Sequence, residues 1–137
     1  MIGIVICAHG RLADEMLAAL NFITSGAGSV TAVAIDHNIE VAEARGIVKE
    51  AIRTANEGSG VLVLTDLYGG TPSNICMSFH DDFKMEVLAG VNLPILIKAV
   101  SMQVSADLET MAIKLKEYGR ENIHLASEIL KGSHAKS

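Results

Sequence analysis

His9 and Asp66 are the two residues whose types best suit the transfer of a small group through a nucleophile. An imidazole is nucleophilic near neutral pH, and because a phosphoramidate on its nitrogen leaves readily, phosphoryl transfer through His9 would be reversible. A carboxylate can accept a hydrogen bond from one ring nitrogen, which fixes the tautomer and leaves the other nitrogen free to attack. The sequence therefore predicts His9 as a phosphorylated nucleophile and Asp66 as its catalytic partner.

The loop after Asp66 is rich in hydrogen-bond donors. Gly69 and Gly70 remove side chains from the approach and permit positive φ, while Thr71 and Ser73 supply hydroxyl groups. Where a strand passes into a helix, the helix N-terminus presents unpaired N–H groups and about half a positive charge. We expect a phosphoryl group to be bound by Gly10, Gly69, Gly70, Thr71 and Ser73.

Three further residues in these loops are candidates for contact with a partner protein. Arg11 follows His9-Gly10 and could meet an incoming anion or an acidic partner. Tyr68 lies inside the donor-rich loop, where it would shield the site, touch a partner or pack under the loop. Asn92, in the stretch 90–94, completes this predicted partner surface.

Taken singly, each of these residues has an ordinary structural explanation. A histidine after a strand is more often a structural hydrogen-bonding residue than a nucleophile. Asp66 alone would most often be a turn or capping residue, and Gly69-Gly70 alone a tight turn. Their coincidence at the ends of predicted neighbouring strands is what favours chemistry.

Apolar runs typical of buried strands alternate along the chain with amphipathic helical stripes. Strands are predicted at 2–8, 30–35, 61–64 and 85–89, and the stretch 25–29 is expected to end the first helix. This alternation predicts an α/β fold with a single doubly wound, mostly parallel sheet and helices on both faces. A short antiparallel fifth strand is possible at 123–126. Ligands of such sheets bind beyond the carboxyl ends of the strands, where the strand order reverses.

Composition excludes several classes of function. The 137 residues have a net charge of −5 and lack a long basic cluster, which argues against nucleic-acid and membrane-surface partners. The apolar start is followed at once by His9-Gly-Arg11, so neither a signal peptide nor a membrane span fits. Two distant cysteines, Cys7 and Cys76, suggest buried, reduced thiols in a cytoplasmic protein. We expect one domain at 1–130 and a disordered tail at 131–137.

No metal or other cofactor is expected. The run His80-Asp-Asp82 resembles a metal cluster in composition, but it precedes the strand predicted at 85–89 and so falls at the wrong edge of the sheet. The chain also has no Cys/His spacing typical of a zinc site.

The strand end His9-Gly10, the loop 66–74 and the stretch 90–94 closely resemble the IIA domain of the mannose family of the bacterial phosphoenolpyruvate:sugar phosphotransferase system. The resemblance covers nearly the whole chain. It implies that His9 accepts a phosphoryl group from the phosphocarrier HPr and passes it to a IIB component, with membrane permease components completing sugar uptake. It also implies that Thr71 lies near the phosphoryl group and that the chain forms a homodimer by exchanging a C-terminal strand.

Two other functions stay open at this stage. No linker or IIB segment follows the IIA-like region, so we expect a separate acceptor or, alternatively, a free-standing regulatory phosphocarrier whose phosphohistidine state controls a partner protein. An aspartyl-phosphate receiver would share the sheet. Receivers need an acidic cluster that holds Mg²⁺, whereas the first strand here ends in Cys7-Ala-His9.

Overall fold

The computed structural model describes residues 1–25 and 29–136. Strands and helices alternate along most of the described chain, and two further helices follow the last strand. Their order is β1 (Gly3–His9), α1 (Leu12–Ile23), β2 (Val30–Ile35), α2 (Val41–Ala55), β3 (Val61–Thr65), α3 (Thr71–Met77), β4 (Met85–Ala89), α4 (Leu93–Met102), α5 (Leu108–Glu121) and α6 (Ala126–Lys136).

The four strands form one sheet in the order β2-β1-β3-β4, and every neighbouring pair is parallel. The chain leaves β1 toward one side of the sheet to form β2 and then returns to the other side to form β3. The strand order therefore reverses between β1 and β3. The predicted α/β sheet with helices on both faces is confirmed, and the reversal point lies at the ends of two central strands.

Two apolar clusters hold the helices against the sheet. Alternate residues of β1 point to opposite faces, so Ile4 and Ile6 pack with α1, α4 and α5, whereas Val5 and Cys7 pack with α2 and α3. All four of these side chains are fully buried. Burial on both faces explains why the central strands are nearly continuous apolar runs, and it makes them a rigid base for the loops at their carboxyl ends.

The antiparallel fifth strand predicted at 123–126 is not found. Ile123 to Leu125 has no regular structure, and α6 begins at Ala126. The residues that follow include Ala, Glu, Leu and Lys, which favour a helix, and none of the described strand pairings involves this segment. Since α6 continues to Lys136, most of the stretch predicted as a disordered tail is helical.

Residues at the N-caps mark where the helices begin. The N-cap of α2 is Glu40, and that of α5 is Asp107, whose side chain accepts a hydrogen bond from the N–H of Thr110. Gly70 caps α3, so Thr71 is already helical. The end of α1 at Ile23 precedes the stretch 25–29, of which residues 26–28 lie outside the described part of the chain.

No helix in residues 1–25 and 29–136 combines the length and the apolar character that a bilayer crossing needs.

Candidate active site

His9 and Asp66 meet at the point where the strand order reverses. His9 is the last residue of β1, and Asp66 directly follows the neighbouring strand β3. The Nδ1 atom of His9 lies 2.7 Å from Oδ2 of Asp66. The same oxygen accepts a hydrogen bond from the backbone N–H of His9 at 3.0 Å, and Oδ1 accepts one from the backbone N–H of Leu67 at 3.0 Å. One carboxylate thus fixes both the backbone and the ring of His9.

The two side chains differ in their exposure to solvent. The side chain of Asp66 is only 9% exposed, whereas that of His9 is 49% exposed. Burial alone would raise the pKa of Asp66. The hydrogen bonds from the backbone and ring of His9, the charge of that ring and the N–H of Leu67 outweigh burial, and the pKa of the carboxyl is lowered.

This electrostatic arrangement fixes the roles of the two ring nitrogens. An ionised carboxylate can only accept hydrogen bonds, so Nδ1 of His9 must carry the proton that it shares with Asp66. In the neutral ring, Nε2 then has a free electron pair. The half-exposed imidazole is therefore oriented to use Nε2 as a nucleophile or as a base.

Glycines shape the turns on both sides of the pair. Gly10 has a φ of 56° and Gly69 a φ of 90°, values that L-residues with side chains rarely adopt. Gly10 also donates its N–H to the carbonyl of Ile35 at 2.9 Å, which ties the turn after β1 to the end of β2. The predicted need for glycine at these two positions follows from their backbone conformation.

The predicted hydroxyl donors lie in different environments. Thr71 is exposed as the first residue of α3. Ser73 is fully buried, and its hydroxyl lies 3.7 Å from Sδ of Met77 on the same helix. The structure thus leaves Thr71 free to meet a bound group but turns Ser73 into the protein.

The three residues predicted to contact a partner are spread over the rim of the site. Arg11 is the exposed cap of α1, and Tyr68 is 76% exposed. Asn92 caps α4 by accepting a hydrogen bond from the N–H of Ile95 at 2.9 Å, so its side chain has a structural partner. Tyr68 and Asn92 both line a groove of about 740 Å³ that runs along β4.

Sequence reasoning did not identify the backbone hydrogen bonds of Leu67 and Thr65, which help to hold the loops of the site. The Leu67 backbone binds the carboxylate, and its exposed side chain lies beside Gly70. The carbonyl of Thr65 accepts hydrogen bonds from the N–H groups of Gly90 and Val91 at 2.9 and 3.0 Å, which joins the turns after β3 and β4. Backbone contacts of this kind leave no signal in residue type.

Both cysteines lie in the core beneath the site. Cys7 and Cys76 are free and fully buried, as predicted. A hydrogen bond with Cys7, together with burial, raises the pKa of the Cys76 thiol. These thiols are therefore structural rather than reactive in the folded chain.

Among the described side chains, those of residues 1–25 and 29–132, no three His, Cys, Asp or Glu are grouped closely enough to hold a metal ion. His80 lies 3.5 Å from Asp81 and 3.5 Å from Glu86, away from His9 and at the amino end of β4.

Comparison with known proteins identifies relatives that cover most of the chain. Residues 3–116 match the family model described as the PTS system fructose IIA component. The chain is 29% identical over 131 residues to the PTS system fructose-specific EIIA component of Bacillus subtilis (strain 168), covering 95% of this chain and 90% of that protein.

Two solved structures are similar over almost their full lengths. The phosphotransferase system component EIIA from Streptococcus agalactiae has a TM-score of 0.85 and 28% identity, with 93% of this chain and 99% of that chain covered. The mannose/sorbose specific IIA subunit from Enterococcus faecalis has a TM-score of 0.80 and 26% identity, with 90% and 93% covered.

Proposed function

Because this chain belongs to the fructose and mannose IIA family of the phosphotransferase system, whose members are phosphotransferases in sugar uptake, we propose that it carries the phosphoryl group on His9. The donor is HPr, and the acceptor is a IIB component that works with membrane permease components. The 2.7 Å contact between Nδ1 of His9 and Asp66 is the single observation that carries this proposal. It leaves Nε2 as the nitrogen that is phosphorylated.

In the transfer step, Nε2 of His9 attacks the phosphorus atom of the donor's phosphohistidine. A new N–P bond forms while the donor's N–P bond breaks, and the electron pair returns to the donor imidazole. The Nδ1 proton stays on His9, where the ionised Asp66 stabilises the positive charge that develops on the ring. Transfer to IIB is the same exchange in the opposite direction, so the protein mainly supplies position and electrostatic support.

The loop 69–71 is placed to support the charge of the transferred group. Gly70 lies against the Nε2 edge of the ring, and the exposed hydroxyl of Thr71 follows it. We assign the phosphoryl contacts to Gly10, Gly69, Gly70 and Thr71 and leave out the buried Ser73.

The surface around His9 has the character of a docking face for a carrier protein. Leu12, Leu67 and Tyr68 are large apolar side chains that remain exposed in the loops and helix next to the strand ends. Arg11 adds a positive charge beside them. A protein partner could cover the apolar side chains and exclude water during transfer, which strengthens the electrostatic support of the phosphoryl group.

The partner set also includes a second copy of this chain. β4 is an edge strand, and the groove along it is lined by Ile123 and Arg120 as well as by strand residues. After α5, the exposed apolar residues Leu125 and Ile129 lie in or before α6, which makes little contact with the other described elements. We place the C-terminal segment of one copy on the β4 edge of the other.

Sedimentation velocity of the full chain and of a variant ending at Asn122 tests the dimer. The full chain should sediment as a dimer, and the shortened one should sediment as a monomer that still unfolds cooperatively in circular dichroism melts. Dimers of equal stability in both would contradict this arrangement.

Reconstitution tests the main proposal. Incubation with phosphoenolpyruvate, enzyme I and HPr should add one acid-labile phosphoryl group, and mass-spectrometric mapping should place it on His9. His9→Ala should remain unlabelled, and a fully labelled His9→Ala protein would end the proposal. His80→Ala, which removes an exposed histidine beside Glu86 near the start of β4, is the matched control.

A chase with a IIB component separates transport from regulation. Loss of the label to IIB supports transport in the cytoplasm, where both thiols would stay reduced. Retention of the label together with phosphorylation-dependent capture of a regulator would instead support the regulatory alternative.

A further inference from the structure

Gly70 is the one glycine of the site whose backbone conformation does not require glycine. Its φ of −85° and ψ of 169° lie in the extended region that any residue adopts. This position is the N-cap of α3, where glycine is tolerated but Ser, Asp and Asn are slightly more favourable, and no side-chain hydrogen bond caps the helix here. Neither the backbone conformation nor helix capping therefore requires glycine at this position, and the reason for it is steric.

The cause is the closeness of the His9 ring. A Cβ atom added at Gly70 would lie 2.7 Å from Cε1 and 3.2 Å from Nε2 of His9, and 3.2 Å from Cδ1 of Leu67. Carbon atoms in contact prefer about 3.5–4.0 Å, so the imidazole would have to move. A Cβ at Gly10, Gly69 or Gly46 would meet nothing within 4 Å.

The ring has little freedom to move without losing its partner. Nδ1 is held 2.7 Å from Oδ2 of Asp66, and that carboxylate is itself held by the backbone N–H groups of His9 and Leu67. The carboxylate cannot follow a displaced ring, because its backbone contacts fix it. A side chain at position 70 would therefore weaken the contact between Nδ1 and Asp66.

We infer that Gly70 is a positioning residue for His9: its missing side chain lets the imidazole lie against the start of α3 while Nδ1 stays bonded to Asp66. The inference rests on the proposed function of His9. It also implies that a methyl group at position 70 would stand beside Nε2, on the side of the ring where the phosphoryl group must enter.

The test compares Gly70→Ala with Gly46→Ala. Gly46 is exposed on α2 with open space around its Cα, so its substitution controls for a general effect of replacing glycine. Gly70→Ala should slow phosphorylation of His9 by HPr about 100-fold, the effect of misplacing a reacting group by about 1 Å. Gly46→Ala should keep the wild-type rate. A wild-type rate in Gly70→Ala would overturn the inference.

A second measurement reports on the protonation of the His9 ring and does not depend on phosphoryl transfer. Nitrogen NMR of the His9 imidazole in wild type should show a protonated Nδ1 and a free Nε2. Gly70→Ala should lose that tautomer preference while its melting profile stays close to that of wild type. It should also raise the pKa of Asp66, because the carboxylate loses its hydrogen bond to the ring. An unchanged tautomer and an unchanged Asp66 pKa would contradict the inference even if the rate fell.

The double variant Leu67→Ala/Gly70→Ala identifies the group that the methyl meets. If the His9 ring is displaced, removing the Leu67 side chain should not restore the rate. Full recovery would show that Leu67 was the obstacle and would overturn the assignment. Failure of wild type to accept phosphate would refute the proposed function instead, and the NMR comparison would still decide the role of Gly70.

Discussion

The loop after β3 and the segment after α5 are both exposed, yet the chain fixes them very differently. In the first, Asp66 accepts three hydrogen bonds, and Pro72 is buried in the first turn of α3. In the second, Leu125 and Leu130 remain exposed, and the carbonyl of Leu125 accepts backbone hydrogen bonds from the nearby N–H groups of Glu128 and Ile129. The first region is organised by contacts within the described chain, whereas the second leaves its apolar side chains exposed.

Asp66→Asn should have the largest effect on the organised loop. An amide carries no charge and can present an N–H to the ring, so it no longer favours the proton on Nδ1 or supports a positive imidazole. We expect His9 phosphorylation to slow about 1,000-fold, within the range of acid–base contributions. Rapid-quench measurement with labelled HPr gives the rate, and a loss below threefold would show that the contact is only structural.

The same substitution, leucine to alanine, at one core position and one position in α6 compares how much each region contributes to the free energy of unfolding. Leu64 is 0% exposed on β3, and Leu130 is 62% exposed on α6. Leu64→Ala should lower the free energy of unfolding by about 2–5 kcal/mol, whereas Leu130→Ala on the monomer should change it by less than about 0.5 kcal/mol.

Urea titrations at several protein concentrations provide the check. A destabilisation by Leu130→Ala that grows with protein concentration would indicate that this leucine is buried between two copies. If Leu130→Ala instead lowered the free energy of unfolding strongly and equally at all protein concentrations, α6 would have to pack against its own domain.

Thr71→Ala should affect transfer but not folding. The hydroxyl is exposed and has no described partner, so its loss leaves no buried group unpaired. If it donates to the transferring group, its removal should raise the barrier by on the order of 3 kcal/mol. Equal transfer rates in Thr71→Ala and wild type, with matching melting profiles, would remove Thr71 from the phosphoryl contacts.

Unfolding measured at several acidic pH values should reveal a smaller effect, the contribution of ionised Asp66 to the stability of the fold. Because its pKa is lowered in the folded chain, ionised Asp66 stabilises the fold above its unfolded pKa of about 3.9, and this contribution is lost as the pH falls through the folded pKa. The difference in unfolding free energy between wild type and Asp66→Asn should therefore shrink as the pH falls from about 5 to 2. A constant difference would mean that the carboxyl is not favoured in its charged form.

The sequence predicted the sheet well because buried strands consist of short runs of apolar and β-branched residues that are easily recognised. β2 and β4 have the predicted bounds, since β-branched and apolar runs between polar breaks mark them clearly. Helix starts were less certain because several capping residues stand close together. Ser105 and Asp107 could both cap α5, and only the contact from the N–H of Thr110 to Asp107 decides between them.

The candidate site was predictable in its topology but not in its details. The approach of His9 to Asp66 follows from parallel strands that end at one edge. The inward turn of Ser73 depends on how α3 packs, which residue type does not specify. The fifth strand failed for a related reason: Ile123 lines the groove along the edge strand β4 without pairing with it, and such pairing depends on the path of the chain, which residue type does not specify.

The double attachment of His9 has a consequence for repeated turnover. Oδ2 of Asp66 binds both the main chain and the imidazole of that one residue through Nδ1, so loading at Nε2 would leave both bonds in place. The ends of β1 and β3 then stay joined throughout a cycle of loading and unloading. The carrier can then alternate between its loaded and unloaded states at one exposed nitrogen, with no rebuilding of the surrounding fold.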